Sequence, residues 1–156
     1  MTRKEINPTE ALGRLRELCS RSEYCTNDMA QKLYRWGIGA DTASKIIESL
    51  QRDRFVDDAR FARAFVRDKY RFSGWGRIKI RAALGAKRIS SGDIDAALDE
   101  IDAEEYEATA LKALKAKLRT LGDEPLDHEG RTKLLRFGAS RGYEVNLLCR
   151  LIKSLG

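Results

Sequence analysis

RFVDDARFARAFVRDKYRFSGWGRIKIRAALGAKRI runs from Arg54 to Ile89 and holds two helical patterns joined by a tryptophan between glycines. Asp57-Asp58 opens the first helix, where negative charge suits the positive end of the helix dipole. Ala59, Ala62, Phe65 and Val66 line one face, and Phe61 and Phe65, four apart, are within reach of each other. Ser73-Gly74-Trp75-Gly76 breaks the chain, and both glycines are assigned to the turn because glycine accepts positive φ. Arg77 to Lys87 reads as a second helix, followed by Ile89. Ser90-Ser91-Gly92-Asp93 then starts a third, with Ile94, Ala97, Leu98 and Ile101 on one face.

The same plan appears on both sides. Upstream, Asn7-Pro8-Thr9-Glu10 starts a helix: Asn7 caps and Pro8 suits the first turn. Ala11, Leu12, Leu15, Leu18 and Cys19 recur at helical spacing, and Ser20 to Cys25 breaks the pattern. Thr26 or Asn27 is the expected cap of a second helix with Met29, Leu33 and Trp36 on its apolar face; Gly37-Ile38-Gly39 ends it. Asp41 is the expected cap of a third helix carrying Ala43, Ile46, Ile47 and Leu50. Downstream, Glu104 to Leu121 is a long helix with Leu111, Leu114, Leu118 and Leu121. Gly122-Asp123-Glu124-Pro125 stops it. A helix anchored by Leu134 and Phe137 runs to Phe137-Gly138, and Glu144 to Leu155 closes the chain with Leu147, Leu148, Leu151 and Leu155.

Ala43, Ile46, Ile47 and Leu50 superpose on Ile94, Ala97, Leu98 and Ile101 by a shift of 51 residues, and a further shift of about fifty finds Leu147, Leu148 and Leu151. A single amphipathic match means little. The same order of long helix, glycine break, short helix, polar break and apolar helix, met three times, describes an internal repeat. The expected fold is all-α: three tandem three-helix units, at 1–53, 54–102 and 103–156, in an elongated, curved molecule. Units this small bury little alone, so stacked neighbours are expected to share a core. Ile46, Ile47, Leu50, Ile94, Leu98, Ile101, Leu148 and Leu151 are the expected buried positions.

Charge is distributed very unevenly. Arg54 to Gly92 holds 11 Lys/Arg and 3 Asp/Glu, a net +8, whereas Asp93 to Gly130 carries −8 and the whole chain +6. A basic stretch beside an acidic one points to an acidic partner, nucleic acid or a protein–nucleic-acid assembly. The candidate contact residues are Arg67, Lys69, Arg71, Trp75, Arg77, Lys79, Arg81, Lys87 and Arg88. Arg77 and Arg81, four apart, share a helix face and repel slightly unless an anion lies opposite. Trp75 reads either as a base-stacking or protein-binding anchor or as a core residue sealing the turn. The acidic run Asp99 to Glu107 reads either as a solvated linker face or as a surface that meets a basic patch on the partner.

Other chemistry lacks the residues it needs. Asp57 and Asp58 read as helix-cap carboxylates rather than acid–base or metal groups. Cys19, Cys25 and Cys149 form no disulfide framework and are assigned to packing. The single histidine, His128, lies in a polar, loop-like stretch with no ligand or triad partners at suitable spacing. GxxxxGK[ST] is absent. No apolar run approaches the roughly 20 residues that span a bilayer, and the start MTRKEINPTE has no signal-peptide core. The expectation is a cytoplasmic monomer without enzymatic activity, metal or cofactor, and without membrane contact.

Arg54-Phe55-Val56-Asp57-Asp58-Ala59-Arg60-Phe61-Ala62, Tyr70 to Ile78 and Lys87-Arg88-Ile89 resemble the RecX family, regulators of the RecA recombinase in bacteria. Arg21-Ser22-Glu23-Tyr24 with Lys32-Leu33 is similar to that family's first repeat. The sequence departs from the family at Arg88, where glycine is usual, and at Trp75, where a smaller or polar residue is common. The resemblance implies a three-repeat protein that lies in the groove of the RecA filament on single-stranded DNA. It implies inhibition of the recombinase, ATPase and coprotease activities, with no active site of its own. Weak direct contact with DNA is a further expected property. The alternative is a helical DNA-binding module of another kind, which would present a recognition helix.

Overall fold

A computed structural model describes residues 6–122 and 125–156 of the chain. Among the described residues there are nine helices and no strand: α1 Pro8–Arg21, α2 Thr26–Arg35, α3 Ala40–Arg52, α4 Asp58–Arg71, α5 Arg77–Ala86, α6 Ser91–Asp99, α7 Ala103–Arg119, α8 His128–Ser140 and α9 Val145–Ser154. They pack chiefly in successive threes: α1 and α2 on α3, α4 and α5 on α6, and α7 to α9 on one another.

The repeat is visible in the backbone. After α2, α5 and α8 the chain makes one turn three times. Ile38 N–H reaches Leu33 O at 3.0 Å, Ile89 N–H reaches Leu84 O at 3.2 Å and Tyr143 N–H reaches Gly138 O at 3.1 Å. Gly37, Arg88 and Gly142 supply the left-handed residue of each turn, with φ of 77°, 59° and 93°. This is the Schellman closure of a helix, which satisfies carbonyls left over at the C-terminus. Arg88 therefore occupies a conformation that its two counterparts meet with glycine.

The caps differ in part from the sequence expectation. Asn7 accepts from Glu10 N–H at 2.8 Å, Asp57 from Arg60 N–H at 3.0 Å and Ser90 from Asp93 N–H at 3.2 Å, as their residue types suggest. Cys25, not Thr26 or Asn27, is the N-cap of α2, and Gly39, not Asp41, is that of α3. Asp41 sits in the first turn of α3 instead. Trp36 is the C-cap of α2, half-buried against the first unit's core. α1 runs on to Arg21, α5 stops at Ala86, α7 spans Ala103–Arg119, α9 spans Val145–Ser154 and α8 continues to Ser140. His128 begins α8 rather than lying in a loop, because Asp127 caps that helix through Gly130 N–H. Of the stop at 122–125, Asp123 and Glu124 lie outside the described residues; Gly122 has φ 98°.

Core sharing is unequal. The second and third units contribute to one continuous cluster that includes Val66, Ile80, Leu98, Tyr106, Leu114, Leu134 and Leu148. The first unit closes its own cluster around Leu15, Met29, Leu33 and Leu50, which takes in Val56 and Phe55 from the start of the next, while its Cys25 joins the larger cluster. Six of the eight expected core positions are buried; Ile47 and Ile101 are half-buried and pack against their cores from the rim. Within unit three, Gly138 makes room for Leu148: a Cβ on Gly138 would come within 2.9 Å of the Leu148 Cδ1. Units one and two place Leu33 and Leu84 at the position of Gly138.

Candidate functional site

The Gly-Trp-Gly loop is the joint between the second and third units. Gly76 N–H donates to Arg141 O at 2.7 Å and Ile78 N–H to Gly142 O at 2.9 Å. Arg141 Nη1 reaches Ser73 O and the Tyr143 hydroxyl reaches Gly74 O. Gly74 has φ 67° and serves the turn as expected. Gly76 does not: its φ is −82°, and it is glycine because the backbone of Gly142 lies against it. Beneath this loop the rings of Tyr70, Tyr106 and Tyr143 lie in series, with centroids 6.1 and 5.4 Å apart; the first pair is stacked and the second tilted at 51°.

A polar node closes the seam. The Tyr106 hydroxyl accepts from Arg77 N–H at 3.0 Å and donates to the Glu144 carboxylate, whose second oxygen pairs with Arg77 Nη1 at 3.0 Å. The Arg77 guanidinium also lies over the Tyr106 ring, 4.0 Å from its centroid. Burial, and then the Glu144 carboxylate, push the Tyr106 phenol well above its ordinary range. Burial, then Tyr70, push Tyr143 up to about 12. Both remain neutral donors at any physiological pH.

A second seam joins units one and two. Asp58, expected to serve its own helix, accepts instead from Thr26 N–H of α2 at 2.8 Å. Asp28 accepts from Cys25 N–H at 3.0 Å and pairs with Lys87 at 3.1 Å, while Arg60 pairs with Glu23 at 2.9 Å. Burial acts to raise the Asp28 pKa, but the Cys25 N–H and Lys87 outweigh it and hold the carboxyl below its usual range. Burial pushes the Cys25 thiol up to about 11, so it stays an uncharged packing group.

The nine basic and aromatic candidates therefore sort by environment. Arg77 and Lys87 are tied into the two seams, and Arg81 pairs with Asp95 at 2.6 Å on the surface. Arg77 and Arg81 each have a carboxylate of their own, which removes the repulsion expected along that face. Lys69 and Lys79, from α4 and α5, place their ammonium groups 4.9 and 4.5 Å from the Trp75 ring centroid. The ring itself is half-buried, edge-on to Phe65 at 6.4 Å. Trp75 thus seals the turn and holds two lysines at the surface. Arg67, Arg71 and Arg88 are exposed, and among the described residues none of the three is ion-paired. Exposed apolar side chains flank the same loop and turn: Phe72, Ile78 and Val145.

The remaining candidates take structural places. The acidic run Asp99 to Glu107 is divided between the end of α6, the Asp102 cap and the first turns of α7, and Glu107 pairs with Arg150. Among the described residues no His, Cys, Asp and Glu side chains converge on a metal-sized site. No described helix is long and apolar enough to cross a membrane. Sequence reading missed Tyr106, Tyr143, Glu144 and Asp28; the spacing of three tyrosines, Tyr70, Tyr106 and Tyr143, across the last two units was the only available signal.

Comparison with known proteins follows this geometry. The family model described as RecX, second three-helix domain, matches residues 57–98. The "Regulatory protein RecX" of Chromohalobacter salexigens is 31% identical over 144 residues, covering 92% of this chain and 90% of the relative. The protein of the same name from Xanthomonas axonopodis pv. citri is 34% identical over 92% of this chain and 84% of its own. The chain belongs to the RecX family. Its fold matches a crystal structure of RecX from Lactobacillus salivarius with a TM-score of 0.84 at 19% identity, over 95% of this chain and 96% of that one. A second RecX crystal structure matches with a TM-score of 0.85 at 22% identity, over 94% and 73%. The middle unit, with its basic surface and Gly-Trp-Gly joint, thus coincides with the RecX segment that the family model recognises.

Proposed function

We propose that this RecX chain binds the RecA filament on single-stranded DNA and inhibits its recombinase, ATPase and coprotease activities, acting as a cytoplasmic monomer without chemistry of its own. Membership of a family whose members are named regulatory proteins supports this reading. The observation that carries it further is the pair Lys69 and Lys79 held against the Trp75 ring, cations that form no ion pair among the described residues. Such a surface suits an acidic assembly and gives salt-dependent attachment. Unit boundaries at 53/54 and 102/103 belong to the same proposal: each unit would meet a different part of an extended partner. The test is steady-state ATP hydrolysis by RecA on single-stranded DNA, with this protein titrated in. A progressive fall in rate supports the reading. An unchanged rate at saturating protein refutes it.

A further inference from the structure

From the junction of units one and two we infer a site for single-stranded nucleic acid on α2, independent of the recombinase reading. Asn27, Ala30, Gln31, Tyr34, Arg35 and Arg88 line a hollow of about 560 Å³. Among the described residues no carboxylate lines it. Tyr34 is 80% exposed, although it is an aromatic residue in the middle of a well-packed unit. Arg35 and Arg88 are exposed, and among the described residues neither makes an ion pair or a side-chain hydrogen bond. The adjoining hollow shares Gln31 and Arg35, and its two acids are already occupied: Glu23 by Arg60 and Asp28 by Lys87. Lys32, over the Tyr24 ring, extends the positive track on that side.

The chemistry favours a strand of nucleic acid over an acidic protein face. An exposed ring that shares its hollow with two forked guanidiniums offers a stacking surface for a base and bidentate donors for the flanking phosphates. The amides of Asn27 and Gln31 add donors and acceptors that suit base edges. A duplex hides its base faces, so the ring selects unpaired strands. Arg88 holds a left-handed backbone that glycine holds in the two equivalent turns, Gly37 and Gly142. Strained residues of this kind are concentrated at binding sites. Arg54 has the same φ of 59°, so conformation alone does not single Arg88 out; its place in the hollow does.

Arg54 supplies the matched control. Fluorescence anisotropy of a fluorescein-labelled oligothymidylate is read across a salt series with the native protein, Tyr34→Ala, Tyr34→Phe, Arg88→Gly and Arg54→Gly. The native protein should bind. Tyr34→Ala should weaken binding about fivefold or more while Tyr34→Phe retains it, because the ring and not the hydroxyl stacks. Arg88→Gly should weaken binding and flatten the slope of log affinity against log salt by about 0.7, the share of one phosphate contact. Arg54→Gly removes the same charge from the same backbone conformation outside the hollow, and should leave affinity and slope unchanged. Melting temperatures of both glycine variants should equal or exceed the native value. The site is refuted if the native protein does not bind, if Tyr34→Ala binds as well as native, or if Arg54→Gly loses as much as Arg88→Gly. Displacement of the oligonucleotide by polyglutamate at equal charge would assign the hollow to an acidic protein instead.

Discussion

Gly76 packs against Gly142, and Gly142 against Lys79, so closely that neither glycine tolerates a side chain. A Cβ on Gly76 would sit 2.5 Å from the Tyr143 nitrogen and closer still to the Gly142 carbonyl; a Cβ on Gly142 would sit 2.6 Å from the Lys79 nitrogen. The obstacle in both cases includes backbone, which cannot swing aside. The second and third units therefore meet main chain to main chain, through the loop 73–76 and the turn 141–143.

Gly76→Ala should accordingly cost about 1–3 kcal/mol, the usual penalty of forcing extra volume into a packed contact. Gly92→Ala is the comparison: a Cβ there meets nothing within 4 Å, and the position lies inside α6. That change should be neutral or stabilise by up to about 1 kcal/mol, as alanine favours helix. Urea denaturation of both variants measures the difference. Equal midpoints would mean that the joint is loose in solution.

Tyr106→Phe should destabilise by about 1–3 kcal/mol, because it strands both Arg77 N–H and a Glu144 oxygen in a partly buried seam. The loss is pH-dependent. Folding raises the Tyr106 pKa above its ordinary 10.0, by burial first and the Glu144 hydrogen bond second. Its contribution is therefore fully present below about pH 10 and fades as pH rises toward the folded value. The native protein and the Phe variant should differ most near neutrality and converge in strong alkali, as followed by urea midpoints. A constant gap across that range would exclude the phenol as the titrating group.

Asp28→Asn tests the other seam. Its pKa is lowered on folding, so its contribution is fully present above the ordinary value of 3.8 and is lost as pH falls through the folded value. At neutral pH the variant should lose roughly 1–2 kcal/mol, toward the low end of charged hydrogen bonds because Lys87 is partly solvated. In acid, once pH has fallen below the folded value, the two proteins should melt together. Thermal melts at both pH values measure this.

The sequence showed the helices and not the seams, for a physical reason. Leu98 and Leu148 announce their burial through neighbours three and four positions away, which is a local signal. Ile47 and Ile101 share that periodicity yet stand at the rim, since periodicity gives a face and not its depth. Asn7, Asp57 and Ser90 were legible caps because their side chains cap; Gly39 has none, and the Cys25 cap works through its own N–H to Asp28. The basic surface was legible as a count of charges. Its pairing was not: Arg77, Arg81 and Lys87 find their acids 67, 14 and 59 positions away, distances that carry no periodic trace.

That pairing changes which arginines can test filament binding. Arg77→Glu would set a carboxylate against Glu144 in the seam, so it should lower stability as well as any activity. Arg67 and Arg71 are exposed and, among the described residues, form no ion pair, although they line a hollow with Glu100 and Glu105; Arg67→Glu with Arg71→Glu should leave stability within about 0.5 kcal/mol of native. If the face of α4 that carries Arg67 and Arg71 meets the filament, this double reversal should raise the concentration needed to halve RecA ATPase roughly tenfold, or about 1.4 kcal/mol. Residual inhibition should depend less on salt, because fewer counterions are released on binding. Lys112→Glu with Lys115→Glu is the matched control, reversing two exposed charges on α7 near an acidic neighbourhood. A smaller loss there assigns attachment to the middle unit. Equal losses from the two pairs would spread the contact evenly along the molecule, and Arg67 and Arg71 would then be ordinary solvated side chains.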